Sequence, residues 1–338
     1  MSSRARTKVG VVGLGPIGEQ HLKAYLKLPE CEIVGVTDLV DSRRRVARER
    51  YGVATYATLP ALLAEVRPEI VSICTPDFAH VEPAIEAARA GAHVFCEKPL
   101  AMDLPGAEAI VAACEQSGVR LGIGFKMRFE RIFAQAKWYL ARGAIGEPQV
   151  AYLSRPQRAN LAKRYPVEVL AEFGDLCHEI DMASWFLDDE PESVFEEGVV
   201  GYGGRENPTR VLVAIRYRSG KLATLYVGTE PDFPRTGGLY DAKFHVIGTK
   251  GYILGERPDR LLICNEVPPF ELRVPRIDVA EYWQAAFDRE IAAFVAAIRS
   301  DEMPPVTGQR DGMRAVRVSA AARESLATRR PVNVLGGT

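Results

Sequence analysis

Over the first 125 residues, short apolar runs alternate with stretches whose apolar positions recur at helical spacing. Residues 9–12, 33–36, 70–74, 93–96 and 120–125 read as buried strands, each of strand length and bounded by turn residues. Helical patterns separate them, one at about 42–51 and another opened by Thr58 as N-cap with Pro60 in its first turn. A third ends where Gly91 suits the residue after a helix, and a fourth covers about 105–116. Such alternation predicts a doubly wound parallel sheet covered on both faces.

A further helix at about 131–142, closed by Gly143 and Gly146, precedes a change of texture beyond Pro148. Strand patterns then follow at 150–153, 194–202, 211–217, 221–228, 244–247, 252–254 and 261–265, and Ser219-Gly220 between two alternating runs marks a hairpin. This half reads as an α+β domain with a large open, mostly antiparallel sheet. Helices at about 279–299 and 310–324 close the chain, and their expected place is back against the first domain. The expected division is therefore 1–125 and 126–338.

Length and composition narrow the classes without choosing one. A chain of 338 residues has room for two cores, and a net charge of −1 gives no stripe for nucleic acid or a membrane surface. No apolar run reaches the ~18 residues of a membrane span, and the opening MSSRARTK lacks a signal-peptide core, so a cytoplasmic protein is expected. The six cysteines form no CxxC pair, and neither disulfides nor a metal site is expected.

Chemistry enters at the strand ends. The run Gly13-Leu14-Gly15-Pro16-Ile17-Gly18 sits between a strand and a helix, where glycines permit a tight turn, close approach to a pyrophosphate and close helix packing. The helix it opens offers unpaired N–H groups and the positive end of its dipole. Asp38, 20 residues past Gly18 and just after the second strand, suits the hydroxyls of an adenine ribose. Its charge would repel a 2′-phosphate, so NAD is expected over NADP, although Arg43, Arg44 and Arg45 lie close by. In an open parallel sheet, ligands bind outside the carboxyl ends of the strands. The glycine loop, Asp38, Thr75-Pro76-Asp77-Phe78-Ala79-His80, Glu97-Lys98-Pro99 and the run from Lys126 to Arg128 should therefore share one edge.

One helical pattern interrupts the second half. From Leu176 its apolar spacing fits a buried face, and Asp175, His178 and Asp181 fall at steps of three. An acid one turn before a histidine fixes its tautomer and raises its basicity, as a general base requires. The alternative is a capping Asp175 with His178 satisfied in a core. His21, His93 and His245 show no partner pattern and read as structural.

Together these residues resemble the glucose–fructose oxidoreductase / inositol dehydrogenase / rhizopine-catabolism (Gfo/Idh/MocA) family. The resemblance covers essentially the whole chain through the glycine loop, Thr75-Pro76 with His80, Glu97-Lys98-Pro99, Gly124-Phe125 leading to Arg128-Phe129, His178 with Asp181, and Gly248-Thr249-Lys250-Gly251. It implies an N-terminal Rossmann domain, a C-terminal α/β domain whose open sheet mediates homodimers or homotetramers, and NAD-dependent oxidation of a hydroxyl on a sugar, cyclitol or related small molecule. On that resemblance Gly13, Gly15, Pro16, Ile17, Gly18, Asp38, Thr75, Pro76, His80, Glu97 and Lys98 hold the cofactor. Lys98 and His178, with Asp175, handle the proton, and Arg128, Tyr240 and Lys126 meet the substrate, Lys126 suiting an acidic one. The usual acid four residues before the histidine is Gly174 here, and Asp175 lies three before. Two other readings remain open: an elimination or epimerisation in which bound NAD is recycled, and a non-catalytic dinucleotide sensor.

Overall fold

The computed structural model describes residues 5–158, 176–199, 210–230, 242–257, 260–265, 270–273, 279–300 and 307–334. The chain divides into two compact units, Met1–Phe129 with Trp283–Met313, and Glu130–Tyr282 with Arg314–Thr338.

The first unit runs β1 (Thr7–Val12), α1 (Pro16–Leu26), β2 (Cys31–Thr37), α2 (Asp41–Tyr51), β3 (Thr55–Tyr56), α3 (Leu59–Val66), β4 (Ile70–Ile73), α4 (Val81–Arg89), β5 (His93–Glu97), α5 (Leu104–Gln116) and β6 (Leu121–Gly124). The strands pair in the order β3-β2-β1-β4-β5-β6, all parallel, so the direction of winding reverses between β1 and β4. Local chemistry sets the helix ends. The Thr58 hydroxyl accepts the Ala61 N–H at 3.3 Å, Asp103 accepts the Gly106 N–H at 2.8 Å, and Gly91 takes φ 84° just past α4.

This unit extends past residue 125 and takes up residues 283–313 for a physical reason. The turn Lys126–Phe129 is tied to them: the Lys126 ammonium lies 4.7 Å from the Trp283 ring centre, Arg128 pairs with Asp311 at 2.9 Å, and the Phe129 carbonyl accepts from Arg289 at 2.7 Å. Val9, Val11, Leu22, Tyr25, Val36 and Phe95 share one core with Ile291, Phe294 and Val295.

The second unit holds α6 (Arg131–Ala141), β7 (Pro148–Arg158), α7 (Leu176–Leu187), β8 (Pro191–Val199), β9 (Arg210–Tyr217), β10 (Leu222–Glu230), β11 (Lys243–Gly248), β12 (Gly251–Glu256), β13 (Arg260–Cys264) and β14 (Phe270–Arg273). Helices α8 (Val279–Arg299) and α9 (Gln309–Thr328) and the two-residue β15 (Val332–Asn333) follow. The strands form one sheet, β14-β13-β12-β11-β7-β10-β9-β8-β15, antiparallel except where β7 pairs with β10. Burial alternates along β9, with Val211, Val213, Ile215 and Tyr217 on the covered face. Phe133, Phe186 and Phe244 pack there, the last 5.2 and 5.1 Å from the other two. Truncating any one of them to alanine should cost about 3–5 kcal/mol. A buried ion pair, Arg257 to Glu130 at 2.9 Å, joins β12's end to the start of α6.

Candidate active site at the carboxyl edge of the parallel sheet

Four strands of the first sheet, β1, β2, β4 and β5, deliver the candidate residues at their carboxyl ends. Gly13 leaves β1 at φ 88°, and a side chain there would meet the Cys74 carbonyl at 2.5 Å. A Cβ at Gly18 would lie 1.8 Å from the Gly13 carbonyl oxygen, so only hydrogen lets α1 start against the loop. Above Gly15 a Cβ would meet nothing within 4 Å, which leaves open space where a pyrophosphate would approach. Gly15 caps α1 with no side-chain bond and Pro16 begins the helix, so the first-turn amides of Ile17 and Gly18 are not claimed by a capping side chain.

Asp38, buried after β2, fastens this loop. Its Oδ2 accepts the Leu14 N–H at 2.7 Å and its Oδ1 accepts the Val40 N–H at 2.8 Å. Arg43 reaches Oδ2 at 3.4 Å, while Arg44 donates to the Asp38 carbonyl and pairs with Asp41. A carboxylate oxygen accepts more than one hydrogen bond, so Asp38 can hold the loop and still receive ribose hydroxyls. Open space over Gly15, first-turn amides and this acid fit a dinucleotide.

The next two ends are laced together. After β4, Pro76 leads into a single turn of 3-10 helix, Asp77–Ala79, and Thr75 Oγ1 donates to the Ala79 carbonyl at 2.7 Å. His80 is fully buried, with Nδ1 2.8 Å from the Pro99 carbonyl oxygen and Nε2 3.0 Å from that of Thr75. The Glu97 carboxylate also turns inward, 2.9 Å from His21 Nε2, and its other oxygen accepts the Lys98 backbone N–H at 3.2 Å. His80 and Glu97, expected among the cofactor contacts, therefore place their side chains in the protein interior and brace the edge. Burial pushes the Glu97 carboxyl up, but the His21 hydrogen bond and the charges of His21, Lys98 and His80 outweigh it and leave it below the usual carboxylate value. Cys74 and Cys96 beside it are buried thiols pushed well above the ordinary cysteine value, so neither is a thiolate nucleophile. Lys98, the first residue past β5, is half-buried, and the Lys98–Pro99 peptide bond is cis.

The third cluster lies in the second unit. His178, Glu179 and Asp181 are all buried on α7. Arg155 of β7 grips Glu179 with two prongs, Nε to Oε1 at 2.5 Å and Nη2 to Oε2 at 3.0 Å, which fixes the rotation of α7 on that strand. His178 and Asp181 thus share a set face, one turn apart. Asp175 and Tyr240 lie outside the described residues.

Two family models span the chain. One, an oxidoreductase family with an NAD-binding Rossmann fold, matches residues 7–125, and the C-terminal alpha/beta domain of the same family matches 140–334. The chain belongs to the Gfo/Idh/MocA oxidoreductases. A member from Thermotoga maritima named myo-inositol 2-dehydrogenase is 28% identical over 97% of this chain and 98% of its own length. A Pseudomonas syringae pv. syringae inositol 2-dehydrogenase is 34% identical over 86% of each. For the fold, the structure of Lactobacillus casei scyllo-inositol dehydrogenase with NAD(H) and scyllo-inositol superposes at a TM-score of 0.84 and 22% identity, covering 98% of this chain and all of that one (100%).

This Gfo/Idh/MocA protein is accordingly a nicotinamide-dependent dehydrogenase acting on CH–OH groups, built on the expected Rossmann sheet and mostly antiparallel second sheet. Among the described residues no helix is long and apolar enough to cross a membrane, and no cluster of three His, Cys, Asp or Glu could hold a metal. Sequence reasoning missed His21, which it left without a partner. The available signal was position: His21 falls three residues after Gly18, on the face of α1 that this glycine turns toward the sheet.

Proposed function

We propose that this chain oxidises a secondary hydroxyl of a cyclitol or sugar-derived polyol with NAD, and reduces the matching ketone in reverse. The observation that carries the reading is Lys98, half-buried one residue past β5 on the edge that also presents the glycine loop and Asp38. The names of the relatives from Thermotoga maritima and Pseudomonas syringae support an inositol-like substrate. NAD, when bound, supplies the carbon that accepts hydride. Gly13, Gly15, Pro16, Ile17 and Gly18 cradle its pyrophosphate, Thr75 and Pro76 border it, and Asp38 takes the ribose hydroxyls and disfavours NADP.

The Lys98 ammonium orients the substrate hydroxyl and stabilises alkoxide charge as it develops, a preorganised effect worth about 2–4 kcal/mol in comparable sites. His178 takes the hydroxyl proton in oxidation and returns it in reduction, with Asp175 fixing its tautomer. Arg128, steadied by Asp311, and Lys126 and Tyr240 contact the remaining polar groups of the substrate. The protein works in the cytoplasm as a homodimer or homotetramer joined through the open face of the nine-stranded sheet, where Tyr152, Leu212 and Leu222 are exposed.

The test is Lys98→Ala assayed with inositols, aldoses and sugar acids. Turnover should fall by about 10²–10³ while calorimetric NAD binding persists. Turnover near wild type would remove Lys98 from the chemistry.

A further inference from the structure

His21 is fully buried in the first unit, its ring 5.5 Å from both Phe95 and Phe287. In these apolar surroundings it makes two polar contacts. Nε2 donates to Glu97 Oε1 at 2.9 Å, and Nδ1 faces the Ser72 hydroxyl at 3.3 Å, which in turn lies 2.9 Å from the Tyr25 hydroxyl. Ser72 can give or take a hydrogen bond, so with Nε2 donating to Glu97 it satisfies Nδ1 whether that nitrogen is bare or carries a proton. On the other side Gly124 makes room for the acid: a Cβ there would lie 2.7 Å from Glu97 Oε1.

An ionised acid in such a place is costly unless it is paired and hydrogen-bonded. Packing alone would be served better by an aliphatic residue at the end of β5. The fold instead gives Glu97 two donors, His21 from α1 and the Lys98 amide, with His80 of the turn after β4 as a nearby charge. Cys74 and Cys96 face it as neutral thiols, and the region's other buried acid, Glu290 of α8, interacts with Cys74 and Tyr25. Glu97 Oε2 accepts the Lys98 N–H at 3.2 Å, so the carboxylate lies beside this residue's backbone, and an opposite charge that near favours the ammonium form of a lysine.

We infer that Glu97, held by His21, is a positioning residue for Lys98: it fixes a negative charge behind the amine so that the amine meets the substrate hydroxyl as an ammonium. The inference rests on the role given to Lys98 in the proposed function. No bond is made or broken by Glu97 or His21, and both act only through Lys98.

The experiment uses the full-length protein without cofactor, its lysines reductively methylated with ¹³C-formaldehyde and the Lys98 resonance assigned with Lys98→Arg. In Glu97→Gln the Lys98 titration midpoint should fall by about one pH unit, the size expected when an adjacent opposite charge is lost. The alkaline limb of kcat/KM should move the same way, kcat should drop about 10-fold or more, and the KM for NAD should hold. His21→Phe, whose ring fits between Phe95 and Phe287, should move the midpoint in the same direction by less, and it serves if Glu97→Gln does not fold. An unmoved Lys98 midpoint in the folded variants overturns the inference. A moved midpoint together with wild-type turnover in Lys98→Ala would sink the proposed function and leave the link between the two side chains standing.

Discussion

Asp38→Asn separates two tasks that one carboxylate performs. The first is structural. Asp38 accepts the Leu14 N–H at 2.7 Å through one oxygen and the Val40 N–H at 2.8 Å through the other. An amide keeps one acceptor and turns an NH₂ group against the other backbone N–H, leaving one donor unmatched at a cost of about 1–3 kcal/mol. For a unit of this size that is a loss of roughly 2–12 °C in melting temperature. The second task is electrostatic. Two unit charges about 5 Å apart at an effective dielectric near 20 repel by about 3 kcal/mol, roughly a 100-fold penalty on a 2′-phosphate. Removing the charge also frees Arg43, which lies 3.4 Å from Oδ2 with its side chain half exposed, to pair with that phosphate. The assay is kcat/KM with NAD and NADP in parallel at fixed ionic strength, alongside a thermal melt. The NADP-to-NAD ratio should rise about 100-fold, and the rise should shrink in high salt as the phosphate is screened. A folded variant with an unchanged ratio would refute the assignment of Asp38 to cofactor choice.

Two further outcomes follow from the geometry. Gly18→Ala puts a methyl 1.8 Å from the Gly13 carbonyl oxygen, so the loop must move; about 1–3 kcal/mol of stability and at least about 10-fold in NAD affinity by calorimetry should be lost, and wild-type affinity would contradict the cradle. His245 has a buried Nε2 with no hydrogen-bond partner, and burial holds its ring below the usual 6.5. The unfolded chain therefore takes up a proton below that value before the folded one does, and the wild type loses stability as pH falls. His245→Leu should lose less, so the two urea-unfolding profiles should diverge as pH falls through about 6.5, and parallel profiles would refute the assignment.

What the sequence disclosed tracks how local each signal is. Val9, Val11 and Val36 lie in continuous apolar runs because parallel strands are covered on both faces, and Gly13 to Gly18 must be glycine-rich for reasons confined to one turn. The alternation in β9 was equally plain, because the sheet buries one side of that strand. β14 and β15 escaped notice because four residues and two are too short for a periodic pattern to stand out, and only pairing with β13 and β8 makes them strands. Helix α9 runs to Thr328, past the expected end near Glu324, since nothing local breaks it sooner.

The harder case is direction. Glu97 and His80 were legible as residues at strand ends, and a strand end in an open parallel sheet is where ligands meet protein. Whether such a side chain faces outward or inward depends on partners far along the chain. His21 lies 76 positions from Glu97, and the Pro99 carbonyl that engages His80 lies 19 away. Spacing can place a residue at an edge, because edge position follows from strand length. Orientation follows from which buried groups must be satisfied, and that is a property of the packed unit. The same reasoning separates Lys98 from Glu97 despite their adjacency: Glu97 ends β5 and is buried against His21, while Lys98 lies one residue past the strand and is only half-buried.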